Sequence, residues 1–283
     1  MKTILKKTTI VLLLLAGMNF VNAQQTGDSY ASAKSSKTAK VVYIHAGVNG
    51  FAAKDESGKV KGLLVDVMNE FEKYVKDTYG ITISSTYVEA TNKDFKLYLE
   101  EVRNSNGGVF GLSNTSVKEE RKKFLKYSPS FLNNISVLIS HRNFPTLTNM
   151  NNIGTAFSSK TGFGVPSTTN YDRMLKAKAD NFPSMKITNV TSSRDILENI
   201  SGNPNAFGFS DIHYYLEYLE KGKPVKRHPV GDQQGDEFGI IMPMSSDWDG
   251  VLAEFMSDYI KTASYREMVI NNLGKGALRM ISK

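Results

Sequence analysis

The segment Ser113-Asn114-Thr115-Ser116-Val117-Lys118-Glu119-Glu120-Arg121 sets small hydroxyl and amide side chains at the end of an apolar run, with an arginine close behind. Backbone N–H groups, short polar side chains and a helix start can together hold a small anion. Arg121 adds a planar, permanently charged fork that fits a carboxylate. The same composition also suits an ordinary strand-to-helix loop with a solvated arginine. Two further loops carry comparable groups. Pro166-Ser167-Thr168-Thr169-Asn170 leads into a helix whose first turn is rich in hydroxyls. Ser210-Asp211 places one acid directly after the apolar run Ala206-Phe207-Gly208-Phe209. Asp211 reads equally as a ligand group or as the N-cap of a helix beginning near Ile212.

Other chemistries find little support. His45, His141, His213 and His228 show no metal-ligand spacing, and the chain has no cysteine, so no metal site or cofactor is expected. Gly162-x-Gly164 lacks the third glycine of a dinucleotide fingerprint. No Gly-x-Ser-x-Gly elbow occurs. Lys and Arg do not cluster with aromatics, so nucleic acid is not an expected partner. Glu119, Glu120 and Glu237 are the candidate acids for catalysis, and each reads first as a helix-start or solvated charge.

These loops need elements to position them. Val41-Val42-Tyr43-Ile44 reads as a strand, and Lys54 to Lys59 as a tight hairpin turn. Leu64, Val67, Met68, Phe71 and Val75 recur at helical spacing. Ile81 to Val88 is a strand, Phe95 to Arg103 a helix, and Val109 to Leu112 a buried strand running into the Ser/Asn loop. Ile135 to Ser140 is a further strand. A second alternating set follows, with strands at 162–165, 185–190 and 206–209 separated by helices at 170–179 and 192–200. A strand at 238–241 precedes a helix bearing Val251, Leu252, Phe255, Met256, Tyr259 and Ile260. Such alternation predicts α/β layers with mainly parallel sheets. The three polar loops then sit at the carboxyl ends of strands, where open α/β sheets bind ligands.

At the N-terminus, Lys2, Lys6 and Lys7 precede the apolar run from Ile10 to Met18, and Val21-Asn22-Ala23 offers small residues for cleavage. This reads as a secretory signal peptide over 1–23, too short in its apolar run for a stable span, with a retained anchor as the alternative. Residues 24–39 have little to bury and read as a flexible tail. Export without cysteine means that no disulfide supports the fold and that no lipidated cysteine follows the signal, so a free periplasmic protein is expected. The net charge of +7 overstates the processed chain, because the first 23 residues hold three lysines and no acid.

Taken in order, Gly50-Phe51 through Asp55, Gly58, Gly62 and Asp66, then Ser113 to Arg121 with Tyr127-Ser128-Pro129, Gly164-Val165 with Thr168-Thr169, Ala206 to Asp211, and Phe238-Gly239-Ile240 resemble the type II periplasmic solute-binding proteins. The likeness is to the family that binds polar amino acids, solute-binding protein family 3, and it runs from about Lys40 to Gly274. It implies a two-lobed α/β fold with two crossover strands as the hinge, placed near Val137 to Ser140 and Glu237 to Ile240. Lobe 1 would hold 40–138 and 239–283, and lobe 2 would hold 139–238. By position, Arg121 would grip a ligand carboxylate. Ser113, Asn114 and Ser116 would bond carboxylate or ammonium from lobe 1, Thr168 and Thr169 would donate to the carboxylate from lobe 2, and Asp211 would take the ammonium. The implied activity is capture of a small zwitterion or carboxylate, not catalysis, with an inner-membrane ABC transporter permease as partner. The alternatives are an enzyme on the same scaffold, such as an exported dehydratase drawing on Glu119, Glu120 or Glu237, and a soluble sensory subunit. The sequence departs from the family pattern at Val48, which stands near the usual aromatic position. It departs again at Lys118, where a threonine is usual, and at Ser167, where glycine is usual.

Overall fold

The computed structural model describes residues 24–91 and 94–281. The proposed signal peptide lies outside the described residues. Among them, no helix is long and apolar enough to cross a membrane.

The chain opens with α1 (Tyr30–Ser36) and β1 (Thr38–His45), then the small hairpin β2 (Ala53–Lys54) and β3 (Val60–Lys61). Next come α2 (Leu63–Tyr79), β4 (Thr82–Glu89), α3 (Phe95–Arg103) and β5 (Val109–Leu112). The predicted stripe buries Leu64, Val67, Met68, Phe71 and Val75 on one side of α2, each worth about 1.5–3 kcal/mol of apolar burial. Gly62 begins α2 at φ 135°, and a side chain there would meet the Phe51 carbonyl oxygen at 2.4 Å. Asp94 caps α3 by accepting from the N–H groups of Lys96 and Leu97. After one turn of helix, α4 (Glu119–Lys122), and the short β6 (Leu125–Tyr127), the chain enters its second half. That half contains β7 (Leu132–His141), α5 (Ile153–Ala156), β8 (Thr161–Gly164), α6 (Thr169–Asn181), β9 (Lys186–Asn189), α7 (Ser193–Gly202), β10 (Ala206–Asp211), α8 (Ile212–Glu220) and β11 (Val225–Phe238). It returns through β12 (Ile241–Pro243), α9 (Asp249–Tyr259) and α10 (Ala263–Leu273).

Two five-stranded sheets result, ordered β4-β1-β5-β12-β6 and β11-β7-β10-β8-β9. Pairing is parallel among β4, β1 and β5, and again among β10, β8 and β9. Antiparallel pairing belongs to the strands next to the lobe crossings, β7, β11 and β12. This is the expected two-lobed α/β architecture.

The chain crosses between sheets at 128–131 and at 239–240, and the crossings are hydrogen-bonded to one another. Ser128 N–H donates to the Ile240 carbonyl at 2.9 Å, and Phe131 N–H to that of Phe238 at 2.9 Å. The second crossing falls where the sequence put it. The first does not: Val137 to Ser140 lies inside β7, paired on one side with β10 and on the other with β11. Val137, Leu138 and Ile139 are fully buried because β7 is a central strand. Lobe 2 therefore begins near Leu132 instead of residue 139.

Residues 24–39 also depart from expectation. They form α1 and the start of β1. Composition misleads here because the segment, with only Tyr30, Ala33 and Ala39 packed into the core, is fixed largely through hydrogen bonds to its backbone. The Trp248 indole N–H donates to the Asp28 carbonyl at 2.8 Å, and the Asp247 carboxylate accepts from the N–H groups of Tyr30 and Ala31. Gly27 lies so close to Gly108 that a Cβ would stand 2.3 Å from its carbonyl oxygen.

Candidate functional site

A cavity of about 470 Å³ lies between the lobes, and all seven residues singled out above line it: Ser113, Asn114, Ser116, Arg121, Thr168, Thr169 and Asp211. The wall also includes Val48, Phe95, Asn170, Arg194 and Tyr214. Phe51 is instead a core residue, packed edge-on against Phe131, Phe238 and His213.

Arg121 is buried, at 5 % exposure. Its guanidinium donates from Nη1 to the Ser116 carbonyl at 2.9 Å and from Nη2 to the Ser167 carbonyl at 2.7 Å. The first acceptor belongs to lobe 1 and the second to lobe 2. The guanidinium carbon lies 5.3 Å from the centre of the Phe95 ring, an arrangement that adds cation–π attraction. Ser167 reaches Arg121 from a left-handed backbone conformation, φ 65°, which favours glycine. The helix expected to carry Arg121 near its start is the single turn α4, without a side-chain cap. The positive charge offered here is therefore that of the guanidinium and not that of a helix dipole.

Asp211 occupies the N-cap position of α8, yet its side chain makes no capping bond. The carboxylate turns into the cavity wall and accepts three asparagine amides. Asn114 donates to Oδ2 at 2.8 Å, while Asn134 and Asn170 each donate to Oδ1 at 2.7 Å. Asn114 comes from lobe 1, Asn134 from β7 and Asn170 from α6. Burial raises the Asp211 pKa, and the asparagine amides counter that rise. No cationic side chain lies within 4.0 Å of Asp211, and no anionic one within that distance of Arg121, among the described residues. Among the charged residues of the wall, Arg121 and Asp211 are thus a cation and an anion each held by neutral neighbours.

The hydroxyl loops divide in use. The Thr168 hydroxyl donates to the Val165 carbonyl at 2.7 Å and accepts from Tyr171 N–H at 3.2 Å as the cap of α6. Its only proton is therefore taken, and the expected donation from Thr168 to a carboxylate is not open to it. The Thr169 hydroxyl is buried without a partner. The Ser113 hydroxyl donates to Asn114 Oδ1 at 3.2 Å.

Asn134, Asn170, Arg194 and Tyr214 were not among the expected site residues. Asn170 and Arg194 follow parallel strands at their carboxyl ends, so the rule that located the other loops applies to them too. Asn134 gave only a weak signal, a polar residue ahead of an apolar strand. Behind Tyr214, His213 is buried with neither ring nitrogen hydrogen-bonded, and burial pushes its pKa down to about 3.

Neither a family model nor a curated protein matches this sequence. Solved structures match its fold. The arginine-, lysine-, histidine-binding protein of Geobacillus stearothermophilus superposes with a TM-score of 0.65 at 18 % identity, over 83 % of this chain and 96 % of that one. A substrate-binding protein of an ABC uptake transporter from Streptococcus pneumoniae, with bound histidine, gives 0.66 at 16 % identity over 88 % and 98 %. An ancestral amino-acid-binding protein, a precursor of cyclohexadienyl dehydratase, gives 0.63 at 12 % identity over 87 % and 98 %. At these identities the likeness establishes the two-lobed periplasmic-binding-protein fold.

Proposed function

We propose that the protein captures a small zwitterion, an amino acid or close relative, in the interlobe cavity and delivers it unchanged to an ABC transporter. The observation that carries this reading is the pair Arg121 and Asp211, a cation and an anion on one cavity wall without charged partners of their own. A carboxylate on Arg121 and Thr169 and an ammonium on Asp211 would supply what each lacks. Charge-assisted bonds of this kind are worth about 1.5–3 kcal/mol each. The solved neighbours that bind amino acids on this fold support the same reading, and the charged and apolar pattern of residues 1–23 supports export to the periplasm.

The enzymatic alternative loses its proposed acids, since Glu119, Glu120 and Glu237 do not line the cavity. Binding without turnover is tested by incubating the protein with an amino-acid panel, ranking ligands by melting shift, and recovering the bound compound by mass spectrometry. A ligand at 100 times its Kd stabilises by about 2.7 kcal/mol. Arg121→Ala should lower carboxylate affinity by at least about 100-fold; retention within a few-fold removes Arg121 from the site.

A further inference from the structure

The cavity holds a second arginine besides Arg121. Arg194 lies in the first turn of α7, on lobe 2, and lines the same space. Its nearest acid is Glu217 on α8, with Nη2 at 3.2 Å and 3.3 Å from the two carboxylate oxygens. That carboxylate is already engaged more closely by Lys221, at 2.6 Å. Two cations on one carboxylate leave an excess positive charge, and of the two only Arg194 reaches the cavity. Asp195, its neighbour on the wall, does not supply the missing anion. Its carboxylate is turned back into the capping box of α7 and accepts from the Thr191 and Ser192 N–H groups and the Thr191 hydroxyl. The lysine of the wall, Lys54, has Glu89 at 2.9 Å.

We infer that Arg194 is the specificity-determining residue of the cavity and that it selects a ligand with a second anionic group, a dicarboxylic amino acid. This rests on the zwitterion reading above and deepens it. Arg121 and Asp211 would hold the α-carboxylate and ammonium, and Arg194 would take the side-chain carboxylate from the opposite lobe. Such a ligand carries net charge −1 and matches a wall where two guanidinium groups face one unpaired acid. A basic side chain would repel the Arg194 guanidinium, and an amide would offer it only a neutral carbonyl, a weaker acceptor than a carboxylate.

The test is calorimetric titration of the full processed chain with L-glutamate, L-aspartate, L-glutamine, L-asparagine, L-leucine and L-arginine. The acidic pair should bind tightest. Arg194→Gln should weaken the acidic ligands by about 10- to 100-fold and change the amides by less than about 3-fold. Glu217→Gln removes the competing carboxylate and should move the acidic ligands the other way, to tighter and more salt-sensitive binding. Melting curves of the free variants check that each folds. Preference of the wild type for neutral or basic amino acids overturns the assignment of Arg194 while the zwitterion reading stands. Unchanged glutamate and aspartate affinity in a folded Arg194→Gln protein overturns it equally. Binding of no amino acid in the panel removes both.

Discussion

At the residue scale the cavity distinguishes groups that position from groups that remain available. Arg121 bridges carbonyls of both lobes, and this dual role separates it from a lysine. An ammonium cannot reach two carbonyls and grip a carboxylate bidentately in one plane. Arg121→Lys should therefore lose about 10-fold or more in carboxylate affinity despite its conserved charge, as read by calorimetry. The buried histidines give a prediction of another kind. His228 accepts from Leu147 N–H at Nδ1 and pairs with the Ser140 hydroxyl at Nε2, which is satisfied only by a neutral ring. Burial, reinforced by Lys226, pushes its pKa down from 6.5 to about 4. The unfolded chain takes up this proton first, so stability is complete above pH 6.5 and falls as pH drops toward 4. Denaturant unfolding at pH 7 and at pH 5 should show a lower midpoint at pH 5, and His228→Gln should narrow that difference.

At the element scale, the strand and helix pattern was legible wherever burial followed one period. The helix Phe95–Arg103 is found at its expected bounds, and the central parallel strands fall within a few residues of theirs. What failed had a different physical basis. α1 carries Ala33 as its one buried residue and depends on Asp247, Trp248 and the Gly27–Gly108 approach, partners more than seventy residues away in sequence. Deleting residues 24–36 should accordingly lower the melting temperature by several degrees, since about 1 kcal/mol corresponds to 2–4 °C in a chain of this size. It should also red-shift the emission of Trp248, the single tryptophan, which is fully buried. A tail would change neither. Lys118, noted as a departure from the family pattern, reaches across to Asp172 on α6 at 2.5 Å. The pair lies outside the cavity wall and joins lobe to lobe. Because Asp172 is largely exposed, its contribution to closure is about 0.5–1 kcal/mol. Lys118→Ala should speed ligand release by a few-fold in stopped flow, an effect that fades at high salt.

At the scale of the whole molecule, the proposed closure would move the two lobes about 128–131 and 239–240, with the contacts to a ligand drawn from both. Asn114, Arg121 and Lys118 of lobe 1 touch Asp211, Ser167 and Asp172 of lobe 2. Ligand should shift the population toward this arrangement. The chain contains no cysteine, so one cysteine introduced per lobe gives clean fluorophore sites. At Lys96 and Lys178, energy transfer should rise on adding a bound amino acid and rise less in Lys118→Ala.

By itself the sequence determined the layers and the loops at their ends. The period of burial and the carboxyl-end rule are local properties; they placed the three polar loops, and the family resemblance singled out seven residues in and beside them. Only the tertiary structure decided how those residues are used. Whether Asp211 caps its helix or faces the cavity depends on three asparagines brought from separate elements. Whether Thr168 can donate depends on a carbonyl three residues back. That Glu217 only partly neutralises Arg194 depends on a lysine sharing that carboxylate. Such competition for hydrogen bonds and charge is settled by distances between segments far apart in the chain, which residue types and spacing do not encode.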